Sequence, residues 1–257
     1  MSVKEFRLDA KSAGAQALEG LWGPGPPGDL LFDVSAKGRG RGNHATRVGA
    51  GARTQMSDRG RVLLFNGVND LWETERSLEI NADPFTLMAW VWLDTTVPTN
   101  LAAMLGSGFT AVAEWIFYVT PSTGGVPCRL WALGENGPIS AAAALGTFDS
   151  AKDNWTHVAW TRTAGAVAYV YQNGIQVATD ATAGSNLSTA KALQIGCADT
   201  NLLCWWKGMI DDVRYYRRAL SIGEITHIYR TTRWTPYADI LLRPTRRYLQ
   251  RHRAEVL

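Results

Sequence analysis

The chain has 257 residues, of which 46% are hydrophobic and 19% charged, with 25 glycines and 11 tryptophans. That length buries the core of a single all-β domain with extensions, and so few charges exclude a disordered or coiled-coil chain. The net charge of +3 is unevenly placed: in residues 230–257, Arg230, Arg233, Arg243, Arg246, Arg247, Arg251 and Arg253 stand against Asp239 and Glu255, a charge of +5 that leaves −2 on residues 1–229, so the overall basic balance says nothing about a basic face there.

Residues 1–17 read as an arm without periodicity, in which Lys4, Glu5, Arg7 and Asp9 interrupt the apolar run a signal peptide needs. No segment approaches the length of a transmembrane span. Leu18–Trp22 reads as a first short strand, ended by GPGPPG because neither Pro nor Gly sustains a ladder. Lys37–Asn43, KGRGRGN, is a glycine-rich loop with two readings, phosphate or nucleic-acid contact and a solvated turn; the strand and helix context of a phosphate-binding loop is missing.

Strands are expected at Arg61–Phe65, Leu71–Thr74, Phe85–Leu93, Trp115–Thr120, Arg129–Leu133, Ile139–Leu145, His157–Arg162, Val167–Gln172, Ile175–Thr179 and Leu193–Cys197. Many short strands separated by turn signals are the pattern of a sandwich or barrel. In Phe85–Leu93, Leu87, Ala89, Val91 and Leu93 share one face while Met88, Trp90 and Trp92 share the other, which predicts a central strand apolar on both sides. Asn173-Gly174 is the two-residue hairpin turn that needs positive φ at both positions.

Trp205–Tyr216 reads as a further strand, aromatic and β-branched apart from Asp211 and Asp212. Strict alternation sends the two carboxylates to opposite faces, so at most one faces the core, and that one needs an arginine, backbone N–H groups or a cation. After Leu220 a helix is predicted, with Ser221 as N-cap, Glu224 completing a capping box, and Ile222, Ile225, Ile228 and Tyr229 on one face. Cys128, Cys197 and Cys204 are an odd count of cysteines; the last two flank the loop ADTNLL, where they either face each other across two strand ends or remain thiols.

Gly208–Tyr229, with its G-x-I-D-D-V-R-x-Y-x-R-A-L-S-x-x-E-I pattern, resembles the closing signature of the laminin G-like, concanavalin A-like jelly-roll modules that also include the pentraxins. FNGVND (Phe65–Asp70), NWTHVAWTR (Asn154–Arg162), AYVYQNGIQVA (Ala168–Ala178) and FDVSAKGRGRGNHAT (Phe32–Thr46) are similar to further family segments in the family's order. The resemblance implies an all-β, two-sheet antiparallel jelly roll over residues 18–230 with one short C-terminal helix, preceded by the arm 1–17 and followed by an extended tail, 231–257. It also implies a structural Ca²⁺ on Asp33, Asp211 and the Gly67 carbonyl, since that ion accepts hard oxygen ligands from separate segments. The alternative pairs Asp211 or Asp212 with an arginine such as Arg214 or Arg61 and has Asp33 cap a turn. The two-calcium ligand site of the pentraxins fits poorly, because the loop CADTNLLC offers only Asp199 and Asn201.

Catalytic chemistry finds little footing. Glycoside hydrolysis needs two carboxylates about 5 to 9 Å apart; the nearest sequence, Glu73-Thr74-Glu75, lacks the third acid of the jelly-roll glucanases. His157 lies in a strand, His44, His227 and His252 are scattered, and no spacing suggests zinc or an activated nucleophile. Trp206 matches the family's buried aromatic, which leaves Trp205 pointing outward; with Trp72 and Trp115 near strand ends, these rings either stack on a sugar or protein ligand or pack under loops. In the tail, Trp234, Tyr237, Tyr248 and several leucines alternate with Arg243, Arg246, Arg247 and Arg251, the composition of a partner-docking strap.

The expected function is therefore non-catalytic: a structural protein on the virion of a tailed phage, a capsid decoration or fibre-associated protein made in the host cytoplasm, with capsid or tail proteins or further copies of itself as partners. The alternative is a carbohydrate-binding, lectin-like module exported without a signal peptide. Neither nucleic acid nor a membrane is an expected partner.

Overall fold

In the computed structural model the described residues form sixteen strands and one helix. It describes residues 18–23, 30–33, 43–48, 53–78, 80, 83–94, 102–107, 115–120, 129–134, 137–139, 154–165, 167–180, 192–198 and 204–233. The strands are β1 (Leu18–Gly23), β2 (Leu30–Asp33), β3 (Ala45–Val48), β4 (Arg53–Ser57), β5 (Gly60–Asn66), β6 (Leu71–Ser77), β7 (Phe85–Leu93), β8 (Ala102–Gly106), β9 (Ile116–Thr120), β10 (Arg129–Gly134), β11 (Gly137–Ile139), β12 (Thr156–Arg162), β13 (Ala168–Gln172), β14 (Ile175–Asp180), β15 (Ala192–Ile195) and β16 (Lys207–Tyr216), and α1 is Ile222–Thr232.

They form two antiparallel sheets. In the first the order is β14-β13-β12-β7-β16, and beyond β16 lie β5 with β4 along one half and β1 along the other. The second runs β11-β10-β9-β8-β15-β6-β3-β2, and β2 also pairs with β1, so the two sheets are joined along one edge. Between them lies the main core. β7 supplies it with Phe85, Leu87, Ala89, Val91 and Leu93, and Trp160, Trp206, Ile210, Val213, Trp72, Trp115 and Phe117 fill it from both sides. As its alternation predicts, β7 is apolar on both faces: Met88 joins a second cluster with Ala159, Tyr171 and Tyr216 beneath Ile225 and Ile228 of α1. Full burial of each of those isoleucines contributes roughly 1.5–3 kcal/mol, which is what holds an eleven-residue helix to the sheet.

The expected turn and cap are both present. Asn173 and Gly174 have φ of 52° and 77°. Ser221 Oγ accepts from Glu224 N–H at 3.3 Å while Glu224 accepts from Ser221 N–H at 2.9 Å. The hairpin and the helix also touch, since Thr226 Oγ1 donates to the Gly174 carbonyl at 2.8 Å.

Several expectations need correction. Ile222 is 52% exposed, because at the first position of α1 it projects past the sheet, and Thr232 completes the buried face in its place. The last strand starts at Lys207; Trp206 N–H instead donates to the Gly196 carbonyl. Of the strand expected at Ile139–Leu145 only Ile139 is described, as the last residue of β11, and residues 140–145 lie outside the described residues. Cys197 and Cys204 form no disulfide, and Cys128 lies outside the described residues, as do the arm 1–17 and residues 234–257 of the tail. Among the described residues no helix is long and apolar enough to cross a membrane.

The alternation argument fails at Asp211 and Asp212, and the reason is a β-bulge. Along β16, Asp211 pairs with Trp90 and Arg214 with Met88, so β16 spends one more residue than β7 between those partners. Asp212 takes that place at φ 51°, which resets the parity so that Ile210, Val213 and Tyr215 all reach the core. The bulge falls where β5 ends alongside β16 and β1 begins, with Ile210 opposite Leu63 and Val213 opposite Trp22.

Candidate functional site

Both carboxylates are consequently buried, at 0% and 3% exposure, on the side of the first sheet that α1 covers. Asp212 holds Arg214 through two bonds, Nε to Oδ1 at 2.8 Å and Nη2 to Oδ2 at 2.9 Å. Asp211 accepts from Arg59 Nε at 3.2 Å. The arginine alternative is thus the one seen: Asp212 pairs with the expected Arg214, and Asp211 pairs with Arg59.

Arg59 comes from the two-residue turn between β4 and β5, where Ser57 faces Gly60. Its neighbour Asp58 is exposed while Arg59 is buried, so this turn sends one charge into solvent and one into the protein. The Arg59 guanidinium carbon lies 4.1 Å from the Trp90 ring centroid and 5.3 Å from that of Trp155. Nη1 donates to the Thr232 carbonyl at 3.0 Å and to that of Arg233 at 3.5 Å, closing the end of α1 where helical carbonyls lack partners of their own. Trp90 Nε1 donates to Thr232 Oγ1 at 2.8 Å, and the Trp90 ring stacks on Tyr229 with centroids 5.6 Å apart.

Trp90 is flanked in register by His157 on β12 and Asp211 on β16, so one row across three strands carries an imidazole, an indole and a carboxylate. Burial pushes Asp211 up to about 7, against the pull of Arg59 and with a further push from Asp212. It pulls His157 down to about 3, helped by the charges of Arg214 and Arg59. Burial also draws Arg214 down, but Asp212 and Tyr216 more than reverse this and leave it above its ordinary value.

Immediately outside this buried row is a ring that the sequence alone does not single out. Trp155, just before β12, is half-buried, and its Nε1 donates to Asp58 Oδ1 at 2.8 Å. With its edge fixed by a carboxylate and a guanidinium nearby, the indole has few rotamers left, although it belongs to the surface. A stiff, partly exposed aromatic beside an exposed carboxylate can lie against the C–H face of a ring-shaped polar ligand while the acid accepts from its hydroxyls.

The tryptophans expected to do this are elsewhere. Trp72 (1% exposed), turned inward by the pleat of β6, and Trp115 (0%), just before β9, sit in the main core. Trp205 is 8% exposed and packs on Leu71 and Cys197, so its ring is occupied by the outer side of the second sheet and not by solvent. None of the three offers a stacking face. The docking residues Trp234, Tyr237, Arg243, Arg246, Arg247, Tyr248 and Arg251 lie outside the described residues.

Of the residues expected to share Ca²⁺, Asp211 is bonded to Arg59. Gly67, at φ 77°, lies beside Lys207 at the start of β16, and Asp33 pairs through its backbone with Trp22, its side chain lying outside the described residues. Around Asp211 the positive charge is a guanidinium, so the residues there do not fit an ion that asks for about six to eight oxygens. Among the described residues no group of three or more His, Cys, Asp or Glu could hold a metal.

Comparison with known proteins places this geometry in a wider set. Domain 4 of AbnA, an extracellular arabinanase from Geobacillus stearothermophilus solved in complex with arabinotriose, is similar with a TM-score of 0.62 and 16% identity, covering 82% of this chain and 98% of that one. The binding domain of Paraclostridial Mosquitocidal Protein 1 gives 0.63 at 13% identity, over 85% of this chain and 53% of that one. Trypanosoma rangeli sialidase, solved with the inhibitor DANA, gives 0.57 at 19% identity, over 82% of this chain and 32% of that one. At such identities these likenesses speak to the fold. No curated protein matches the sequence. The sequence profile of the concanavalin A-like lectin/glucanases superfamily, in its laminin G-like branch, matches residues 66–226, which runs from the end of β5 into α1, and the chain belongs to that family.

Proposed function

We propose that this jelly roll is a non-catalytic, lectin-like recognition module that binds neutral carbohydrate against Trp155. The observation that carries the reading is the Trp155–Asp58 pair, a half-buried indole locked at 2.8 Å to an exposed carboxylate. Sugar rings offer an apolar C–H face to such an indole and hydroxyl donors to such an acid. The same acid repels uronic and sialic acids, so the ligand is an uncharged sugar.

The non-catalytic part has its own support. Asp211 and Asp212 are tied to arginines, His157 is buried among aromatic rings, and Glu224 is spent on the helix cap and on Arg218. Glu73, half of the pair considered for hydrolysis, accepts from Gln194 Nε2 at 3.0 Å on the outer side of the second sheet. The binding of arabinotriose by a domain of this fold makes arabinotriose a sensible first probe.

The test is a neutral-glycan array and an arabinotriose titration on the wild-type chain and on Trp155→Ala. Binding that weakens at least tenfold in Trp155→Ala, with an unchanged melting curve, supports the reading. A wild-type chain that binds no glycan at millimolar concentration overturns it. If that same protein co-sediments with phage particles, the virion-surface role takes its place.

A further inference from the structure

The geometry points to Arg59 as a positioning residue that couples the Trp155–Asp58 surface to the end of α1, so that the binding face and the last helical turn shift together. The inference rests on the reading of Trp155 as the ligand platform only for the name of what is being positioned. Its physical content is a linkage between two places on the molecule.

Arg59 is one of three buried arginines among the described residues, with Arg162 and Arg214, and it reaches four separate elements from a two-residue turn. It meets β16 through Asp211 at 3.2 Å, α1 through the Thr232 carbonyl at 3.0 Å, β7 through the Trp90 ring at 4.1 Å and the start of β12 through the Trp155 ring at 5.3 Å. A guanidinium is planar and its N–H groups have fixed directions, so these contacts cannot be altered one at a time. If the indole of Trp155 tilts when a ligand lies on it, the guanidinium must either follow or lose the ring. If it follows, its bond to the Thr232 carbonyl changes angle.

The backbone adds a second link. Asp58 and Arg59 are consecutive, so whatever pulls on the Asp58 carboxylate pulls on the turn that carries Arg59; Arg59 N–H is itself bound to Ser57 Oγ at 3.1 Å. At the far end, Thr232 is held by both Arg59 and Trp90, which makes the last turn of α1 the receiver of any displacement. Arg233, the C-cap residue, lies 5.8 Å from the Tyr229 ring, which itself stacks on Trp90. The path from ligand face to helix end therefore consists of packed, charged or aromatic groups without a gap.

The experiment needs no sugar, which separates it from the test of function: a protein that shows the coupling and binds no glycan keeps this inference and loses the other. Amide hydrogen exchange is followed at residues 229–233 in the full chain and in Trp155→Phe, Trp155→Ala, Arg59→Lys and the Trp155→Ala/Arg59→Lys pair. The expected result is exchange roughly tenfold faster at the helix end in Trp155→Ala, in the usual range of coupled sites, with Trp155→Phe close to wild type because it keeps a ring. The double variant should be no worse than Arg59→Lys alone, since the two changes break one connection. Unchanged exchange at residues 229–233 in Trp155→Ala overturns the inference, and so does strict additivity in the double variant. Should Arg59→Lys fail to fold, the comparison of Trp155→Phe with Trp155→Ala still decides, because both alter a surface ring.

Discussion

Asp211 and Asp212 are neighbours in the chain, yet each is held by a different arginine, at 3.2 Å from Arg59 and 2.8 Å from Arg214. The bulge at Asp212 makes this possible by placing both carboxylates away from the main core while Ile210 and Val213 stay in it. Removing one partner of a buried pair leaves the other charge without compensation, which costs about 3–5 kcal/mol. Asp212→Ala is expected to lower the unfolding free energy by that amount in urea, and Asp212→Ala/Arg214→Met to recover a large part of it. A loss under about 1 kcal/mol in the single variant would show the pair to be unimportant for stability.

The row His157–Trp90–Asp211 predicts opposing pH dependences. Asp211 has its carboxyl pKa raised to about 7 from 3.8, so its stabilising contribution is complete below about pH 4 and is lost as pH rises through 7. His157 is lowered to about 3 from 6.5, so its contribution is complete above about pH 6.5 and is lost as pH falls toward 3. Between about pH 4 and 6.5 the two slopes have opposite signs. His157→Gln should therefore become more stable on going from pH 7.5 to 5, Asp211→Asn less stable, and the wild type should change less than either. Urea midpoints across that range check all three.

Two glycine and cap substitutions are expected to differ in size. A Cβ on Gly208, at φ 137°, would collide with the Trp92 carbonyl oxygen, a contact with backbone that no side-chain rotation relieves. Gly208→Ala should cost about 3 kcal/mol or more. Ser221→Ala, which removes only the exposed cap, should cost about 1 kcal/mol. If thermal denaturation reverses that order, the close approach of β16 to β7 at Gly208 is not as tight as the structure has it.

The C-terminal boundary can be placed by truncation. The expected domain end at residue 230 falls inside α1, and Thr232 is 3% exposed with bonds to both Trp90 and Arg59. A chain ending at Arg233 should melt close to the full-length temperature, whereas one ending at Tyr229 should melt several degrees lower. Equal melting of the two would show that Thr232 contributes nothing.

Local signals carry most of the fold from the sequence. β7, the Asn173-Gly174 turn and the Ser221 capping box depend on residues within a few positions of one another, and Trp206 is buried as the family pattern implies. Four strands escape notice for equally local reasons. β2 and β3 have four residues each, β4 is mostly exposed, and the alanines of β8 carry no strand preference. The site is harder. Arg59 and Asp211 are 152 residues apart, and a bulge cannot be seen in a run that reads as unbroken alternation. Trp155 looks like its ten fellow tryptophans until Asp58 is placed beside it, whereas Trp72, Trp115 and Trp205 give no sign in sequence of the elements that cover them.

β16 lies inside the first sheet although it is the last of the described strands, pairing with β7 on one side and with β5 and then β1 on the other. A ribosome therefore releases every other strand of that sheet before the one that joins them. Until residue 216 emerges, β7, β5 and β1 have no partner along these edges, and open edges of apolar strands are templates for pairing with other chains. Chains ended early by a stop codon before Lys207 would leave those edges open and are candidates for inclusion bodies, not for partly active domains.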